Sequence, residues 1–245
     1  MVVVRMLTGI ALRGFFVGVS CSSFVSITAV FFEWTNCTLT TTLKSYFDLF
    51  PKSFPGGGPP SDPFKVAPKA LRREFRLLQS EHHPDILIGS QALSKSPEAS
   101  SGDFSAFLNK AYTTIQNPYT RVSHLIELYH PQHPDISQDD VSKKMIEKFQ
   151  SESEESSLEY KGMLMTVLDA HESLEFANSE EDLEPLSDEN KVRIEETEET
   201  IDQLLIETPI DWDKVMLEAI RLKYWVNIQN GIKDWEPGKP VLLTH

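Results

Sequence analysis

Cysteine is almost missing from this chain: 245 residues hold two, Cys21 and Cys37, both near the N-terminus and not spaced as a C-x-x-C pair. That rules out a structural zinc site built from cysteines and argues against a disulfide framework. No phosphate loop, nucleophile elbow or H-E-x-x-H motif is present, so the common signatures of nucleotide, acyl and zinc chemistry are lacking. No run alternates apolar and polar residues for long enough to give a strand. Basic residues are scarce in one half only. Residues 46–130 carry nine Lys/Arg against eight Asp/Glu, whereas residues 131–245 carry eleven against twenty-eight. A surface that acidic argues against a nucleic-acid partner, because phosphates need a basic face. The split in charge suggests two modules with different surfaces.

Acids are also missing from the first 32 residues, which contain Arg5 and Arg13 and many Ser, Thr and Phe. This composition fits a mitochondrial transit peptide over residues 1–43. The uncharged stretch 14–32 leaves a membrane anchor and a secretory signal as competing readings, although its Ser, Thr and Gly content weakens a spanning helix.

From there on the periodicity is helical. "LKSYFDLF" forms a short apolar helix closed by Pro51, and "PGGGPPSDP" at 55–63 is a connector. Between 66 and 82, Leu71, Phe75 and Leu78 recur as one stripe, while Lys69, Arg72, Arg73 and Arg76 occupy another face. A long loop is expected over 86–102. A helix over 103–116 follows, with Phe104, Phe107, Leu108, Ala111 and Ile115 as its stripe. Another runs over 119–130. The second half reads as three long helices: about 138–178, with a possible interruption at "SESEESS"; about 187–207, capped by Ser187; and about 211–232, opened by Asp211. The fold class is therefore all-α, with an N-terminal helical hairpin over 44–130 and an antiparallel three-helix bundle over 131–245.

His-Pro-Asp occurs twice, at 83–85 and at 133–135. The first copy ends the basic helix, since Pro84 pushes His83 out of helical geometry. The second copy has no basic helix before it and reads as an inter-helix turn, where Pro and Asp are ordinary. A cation site from His130, His133 and Asp135 is the sharper alternative.

The first constellation resembles the J domain: "SYFDLF", then "LRREFRLLQSEHHPD", then "NKAYTTI". The resemblance implies that His83, Pro84 and Asp85, together with Lys69, Arg72, Arg73 and Arg76, engage a 70-kDa heat-shock chaperone of the DnaK type and stimulate its ATP hydrolysis. Phosphoryl transfer depends mostly on positioning and electrostatics, so a docked protein can accelerate it without lending a nucleophile. The segments "LFPKSF" (49–54), "NPYTRVSHLIEL" (117–128), "MLMTVLDAHESL" (163–174) and "LKYWVNIQNGIKDWEPGKP" (222–240) are similar to the HscB type of J protein, which acts in iron–sulfur cluster assembly in the mitochondrial matrix.

On a helical wheel Met163, Val167, Ala170 and Leu174 make an adequate core stripe, and Leu164, Met165 and Leu168 are surplus to it. Periodicity alone favours burying the surplus on a second side; exposing it to a partner is the alternative. The HscB resemblance reverses that preference. It implies that Met163, Leu164, Leu168, Asp169 and Tyr224 bind the cluster scaffold protein, with Thr166 replacing the family's lysine in that segment and Trp225 packing inward. No catalytic residue, metal or cofactor is expected on this chain, which lacks the thiolates of a resident cluster. An enzyme using His82, His83, Asp85 and the acidic bundle is the weakest reading, and a membrane-anchored J protein with another client is the main alternative.

Overall fold

A computed structural model describes residues 45–81 and 101–239. The expected leader, the first His-Pro-Asp and most of the expected 86–102 loop lie outside the described residues. Among the described residues every regular element is helical. A 3-10 turn, Phe47–Leu49, is followed by α1 (Pro68–Glu81), α2 (Ser101–Gln116) and α3 (Pro118–Tyr129). Then come α4 (Asp139–Glu152), α5 (Glu154–Phe176), a second 3-10 turn (Glu180–Leu183), α6 (Glu184–Ile206) and α7 (Trp212–Lys233).

α1 and α2 lie side by side in opposite directions. Phe75 stacks on Tyr112 with ring centroids 4.1 Å apart, and Gln79, one turn on, reaches back to Asn109 at 3.5 Å. Leu71, Leu108, Ala111 and Ile115 are buried between them and the 47–54 segment. α2 begins at Ser101, two residues earlier than periodicity indicated. Asn117 caps α3 by accepting from the Tyr119 and Thr120 N–H groups, and Pro118 sits where its missing N–H costs nothing.

The connector 55–63 is a built turn. The Asp62 carboxylate accepts from the Gly56 N–H at 2.9 Å and the Gly58 N–H at 2.8 Å. Gly58 has φ +101°, and a Cβ there would meet the Phe47 ring at 2.5 Å, so only glycine fits. Phe64, fully buried, then donates its N–H to Asp202 on α6.

In the second half the interruption expected at 151–157 divides the 138–178 stretch into two helices. The chain breaks at Ser153, whose extended backbone ends α4 while its hydroxyl accepts the Ser156 N–H and starts α5. Glu154 and Glu155 suit the positive start of the new helix. The direction reverses here. α4 runs antiparallel to α7, with Asp139 near Lys223 and Lys148 on Asp213. α5 runs parallel to α7, with Glu159 on Arg221 and the Leu174 carbonyl accepting from Trp235 Nε1. α6 returns antiparallel to α7 and packs on it more extensively than any other described pair.

α6 begins at Glu184 rather than at Ser187. The cap lies upstream, where Ser179 and Asp182 satisfy each other's backbone N–H groups, and Pro185 occupies the tolerant first turn. Asp211 caps α7 through the Lys214 N–H.

The main core is continuous. It joins Phe47, Phe50 and Phe64 through Val122, Leu125 and Ile126 of α3 to Ile201, Leu205, Val215 and Leu222 of α6 and α7. Arg121 pins this junction. It is buried beneath the Phe64 ring, donates to the Ile115 carbonyl at 2.9 Å, and pairs with Glu198 of α6. Burial pushes the Glu198 carboxyl up and the Arg121 guanidinium down from their ordinary values, and their mutual attraction opposes both shifts.

Candidate functional site

α1 presents Lys69, Arg72, Arg73 and Arg76 along one exposed side, and among the described residues no ion pair engages any of them. The acid in the middle of this helix, Glu74, points the other way. It is buried and accepts from the Lys52 N–H, the Ser53 N–H and the Ser53 hydroxyl at 2.8, 2.8 and 2.6 Å. Turning that carboxylate inward leaves the outer face positive, which suits steering toward an acidic surface. Two residues that periodicity missed join this face. Lys52 lines a shallow depression with Lys69 and Arg73, and Leu77, 44% exposed, supplies an apolar spot beside the cations. The signal for Leu77 was its place off the Leu71–Phe75–Leu78 stripe. His83, Pro84 and Asp85 lie outside the described residues, so α1 is described only up to the helix end that precedes them.

The second copy of the tripeptide is a turn between α3 and α4. His133 has φ +46° and its Nδ1 lies 2.6 Å from the Glu127 carbonyl. Asp135 accepts from the Ser137 N–H and hydroxyl, and these bonds, the hydroxyl's above all, hold its carboxyl below the usual range. The His130 Nδ1 accepts the Gln132 N–H and its ring packs edge-on against Trp212. These side chains are occupied in shaping the loop. A further histidine, His124, is buried and stacked on Tyr46, and its Nε2 accepts the Tyr46 N–H. Burial, aided by Lys110, lowers its pKa to about 4, so the ring is neutral at physiological pH.

On α5, Val167, Ala170 and Leu174 face inward and are buried against Trp225, Ile228 and Trp235. Met163 packs on the same cluster and is half-buried. The surplus arc does not find a second packing surface, as periodicity alone had favoured: Met165 is 58% and Leu168 61% exposed, and Leu164 is half-buried. Asp169 is exposed beside them. Tyr224 packs against the Val167 and Trp225 cluster. It also hydrogen-bonds Tyr160, whose phenol is pushed up first by burial and then by that bond. Tyr160 stands one turn before Leu164, so it links Tyr224 to the Leu164–Leu168 line. Its i−4 spacing from Leu164 was the available signal. A groove lined by Ile146, Tyr160, Lys223 and Tyr224 opens between α4, α5 and α7.

These helices match known proteins. Residues 159–233 match the family model described as the HSCB C-terminal oligomerisation domain. The mitochondrial J-type co-chaperone JAC1 of Saccharomyces cerevisiae is 29% identical over 203 residues, covering 82% of this chain and 94% of the relative. Its counterpart in Schizosaccharomyces pombe is 28% identical over 202 residues, covering 80% and 77%. Among solved structures, Jac1 of S. cerevisiae aligns with a TM-score of 0.53 at 29% identity, covering 82% of this chain and 98% of that one. The chaperone HscB of Vibrio cholerae has the same helical fold, with a TM-score of 0.50 at 21% identity over 78% of this chain and 96% of that one. With relatives of this kind along most of its length and the family model on α5 to α7, the chain is similar to co-chaperones of the HscB type.

Proposed function

We propose that this protein is a mitochondrial adaptor that stimulates the ATPase of a 70-kDa heat-shock chaperone and delivers the iron–sulfur cluster scaffold protein to it, so that cluster transfer is coupled to ATP turnover. Residues 44–130 act as the J domain, engaging the chaperone through His83, Pro84, Asp85, Lys69, Arg72, Arg73 and Arg76. Residues 131–245 bind the scaffold through Met163, Leu164, Leu168, Asp169 and Tyr224. The chain itself performs no catalysis. Residues 1–43 direct it to the matrix. The reading is supported most by one observation: Leu168 is 61% exposed on a helix whose opposite stripe is already buried, which leaves an apolar surface that this fold does not use for itself.

The test is a reconstituted ATPase assay containing the partner chaperone and the scaffold protein. His83→Gln should abolish stimulation, while His133→Gln should retain it, because His133 serves only a turn. Equal losses would show that the wrong copy of the tripeptide has been assigned. A second reading, a membrane-anchored J protein with a different client, draws on the uncharged stretch 14–32. Among the described residues no helix is long and apolar enough to cross a membrane. Sequencing the N-terminus of the mature protein decides between them, since cleavage before about residue 44 removes the anchor.

A further inference from the structure

One cation of the basic face does not come from α1. Lys52 belongs to the turn that precedes the 55–63 connector, and it is exposed. Its backbone is nevertheless fixed. Phe50 and Phe54 are buried on either side of it, and the Phe54 N–H donates to the Phe50 carbonyl at 2.8 Å. Glu74 of α1 then accepts from the Lys52 N–H, the Ser53 N–H and the Ser53 hydroxyl. Hydrogen bonds to an ionised carboxylate are among the stronger ones, so this clamp sets Lys52 in one place relative to the helix.

The place is across a depression from the helix cations. At 100° per residue, Lys69, Arg73, Leu77, Ala70 and Glu74 follow one another around about 140° of α1. The helix therefore carries cations at one edge, the small Ala70 between, and the clamp that holds Lys52 at the other edge. All of these residues line the same depression, of about 700 Å³. Among the described residues no ion pair engages Lys52, Lys69 or Arg73. Glu74 borders the site, but three donors already occupy its oxygens. Three cations thus converge on one concavity in a chain whose net charge is −14. A concave site lined by one sign of charge focuses the field and draws in the opposite sign.

We propose that this depression is a socket for one carboxylate side chain of the 70-kDa chaperone, seated over Ala70 between Lys52 and the Lys69–Arg73 pair, with an apolar neighbour of that carboxylate resting on Leu77. The inference rests on the chaperone half of the proposed function and adds Lys52 to it as a specificity-determining residue. α1 alone offers a row of cations, which an acidic surface can meet in several registers. A cation on a separate element, facing that row, allows only one of them. Register is what charge placement across an interface governs most strongly. Because the turn is set before binding, little backbone order is lost when the partner docks. Leu77 is 44% exposed and supplies the apolar end of the site.

The experiment is single-turnover ATP hydrolysis by a purified DnaK-type 70-kDa chaperone, titrated with the full chain. Lys52→Glu should raise the half-maximal concentration roughly fivefold to twentyfold, since an attraction becomes a repulsion. The plateau of stimulation should persist, because His83, Pro84 and Asp85 are untouched. Lys52→Arg keeps the charge and should stay within about twofold. Ala70→Leu fills the socket at an exposed helical position without altering charge, and should raise the half-maximal concentration about threefold or more by steric exclusion, at an unchanged denaturant midpoint. Lys144→Glu makes the same change in net charge on α4 and should stay within about twofold, because screening confines the effect. A Lys52→Glu variant no worse than Lys144→Glu, or an Ala70→Leu variant that titrates like the wild type, overturns the socket. If Arg72→Glu raises the half-maximal concentration in the same titration and Lys52→Glu does not, the chaperone reading stands and this inference alone falls. A wild type that gives no stimulation overturns both.

Discussion

Replacing Leu164 and Leu168 together by alanine isolates the apolar part of the proposed scaffold binding. Leu168 is 61% exposed, so docking can bury most of its side chain. Full burial of a leucine is worth about 1.5–3 kcal/mol, which leaves roughly 1–2 kcal/mol for this one. Leu164 is already half-buried and has about 1 kcal/mol or less to gain on the same scale. The pair together is worth about 1.5–3 kcal/mol, or roughly a tenfold to 150-fold rise in Kd. Titration calorimetry with the scaffold protein reads this directly. Alanine is the best helix former and Leu168 touches little inside the fold, so helicity should be unchanged. Val167→Ala is the informative control. Val167 is buried against Ala170 and Trp225, so its loss should lower the denaturant midpoint more than it lowers affinity. A double variant with normal helicity and unchanged affinity would refute the assignment. A Val167→Ala variant that weakens binding as much as the pair, at unaltered stability, would show that the inward stripe and not the outer line is the contact.

Two further outcomes concern the junction. Arg121→Met leaves Glu198 buried without its cation and should destabilise the fold by about 3–5 kcal/mol in urea, whereas Arg121→Met with Glu198→Leu should recover most of that; a single variant no worse than a surface change would mean that the pair is not buried in solution. His124 titrates near 4 when folded and near 6.5 when unfolded, so its contribution is fully present above about pH 6.5 and is lost as pH falls toward 4, because the unfolded chain then binds the extra proton. Between pH 7 and pH 5 the wild type should lose about 2 kcal/mol that a His124→Asn variant does not lose, and parallel pH profiles for the two would exclude a buried neutral ring.

Periodicity located the helices because their inward stripes are regular: Leu71–Phe75–Leu78, Leu108–Ala111–Ile115 and Val167–Ala170–Leu174 all face the core. It could not find the residues that fix how the helices meet. Glu74, Arg121, Glu198 and Asp62 read as ordinary surface charges in sequence, since charged side chains are rarely buried. Their burial depends on partners 4 to 77 residues away, such as Gly58 for Asp62 and Glu198 for Arg121. The serine-rich break at 151–157 was visible, but the reversal at Ser153 was not. The Asp139–Lys223 and Lys148–Asp213 contacts, far apart in sequence, mark the direction in which α4 then lies on α7. The start of α6 was legible and misread: Pro185 and the Ser179–Asp182 box are stronger signals than Ser187. The outer stripe of α5 is legible only over the whole helix, since the exposed Leu158 and Phe176 lie beyond the 163–174 segment.

The charge split suggested two modules, yet one buried apolar cluster joins them. Phe47, Phe50 and Phe64 share one cluster with Ile201, Leu205 and Leu222, and around it lie the Phe64 N–H to Asp202 bond, the Arg121–Glu198 pair and the Lys65–Glu195 contact at 3.7 Å. A flexible linker would let a partner on α1 and a partner on α5 sample many separations, and the gain from joining them would be limited by the linker's effective concentration. A continuous core holds the two surfaces in one fixed relation, so simultaneous binding is favoured only for partners whose own geometry matches it. Under the proposed function, specificity for a particular pair of partners would then reside in the buried junction as much as in the contact residues. The charged groups at that junction fit such a role, since a hydrophobic substitute would serve stability as well but would tolerate more than one arrangement of the helices.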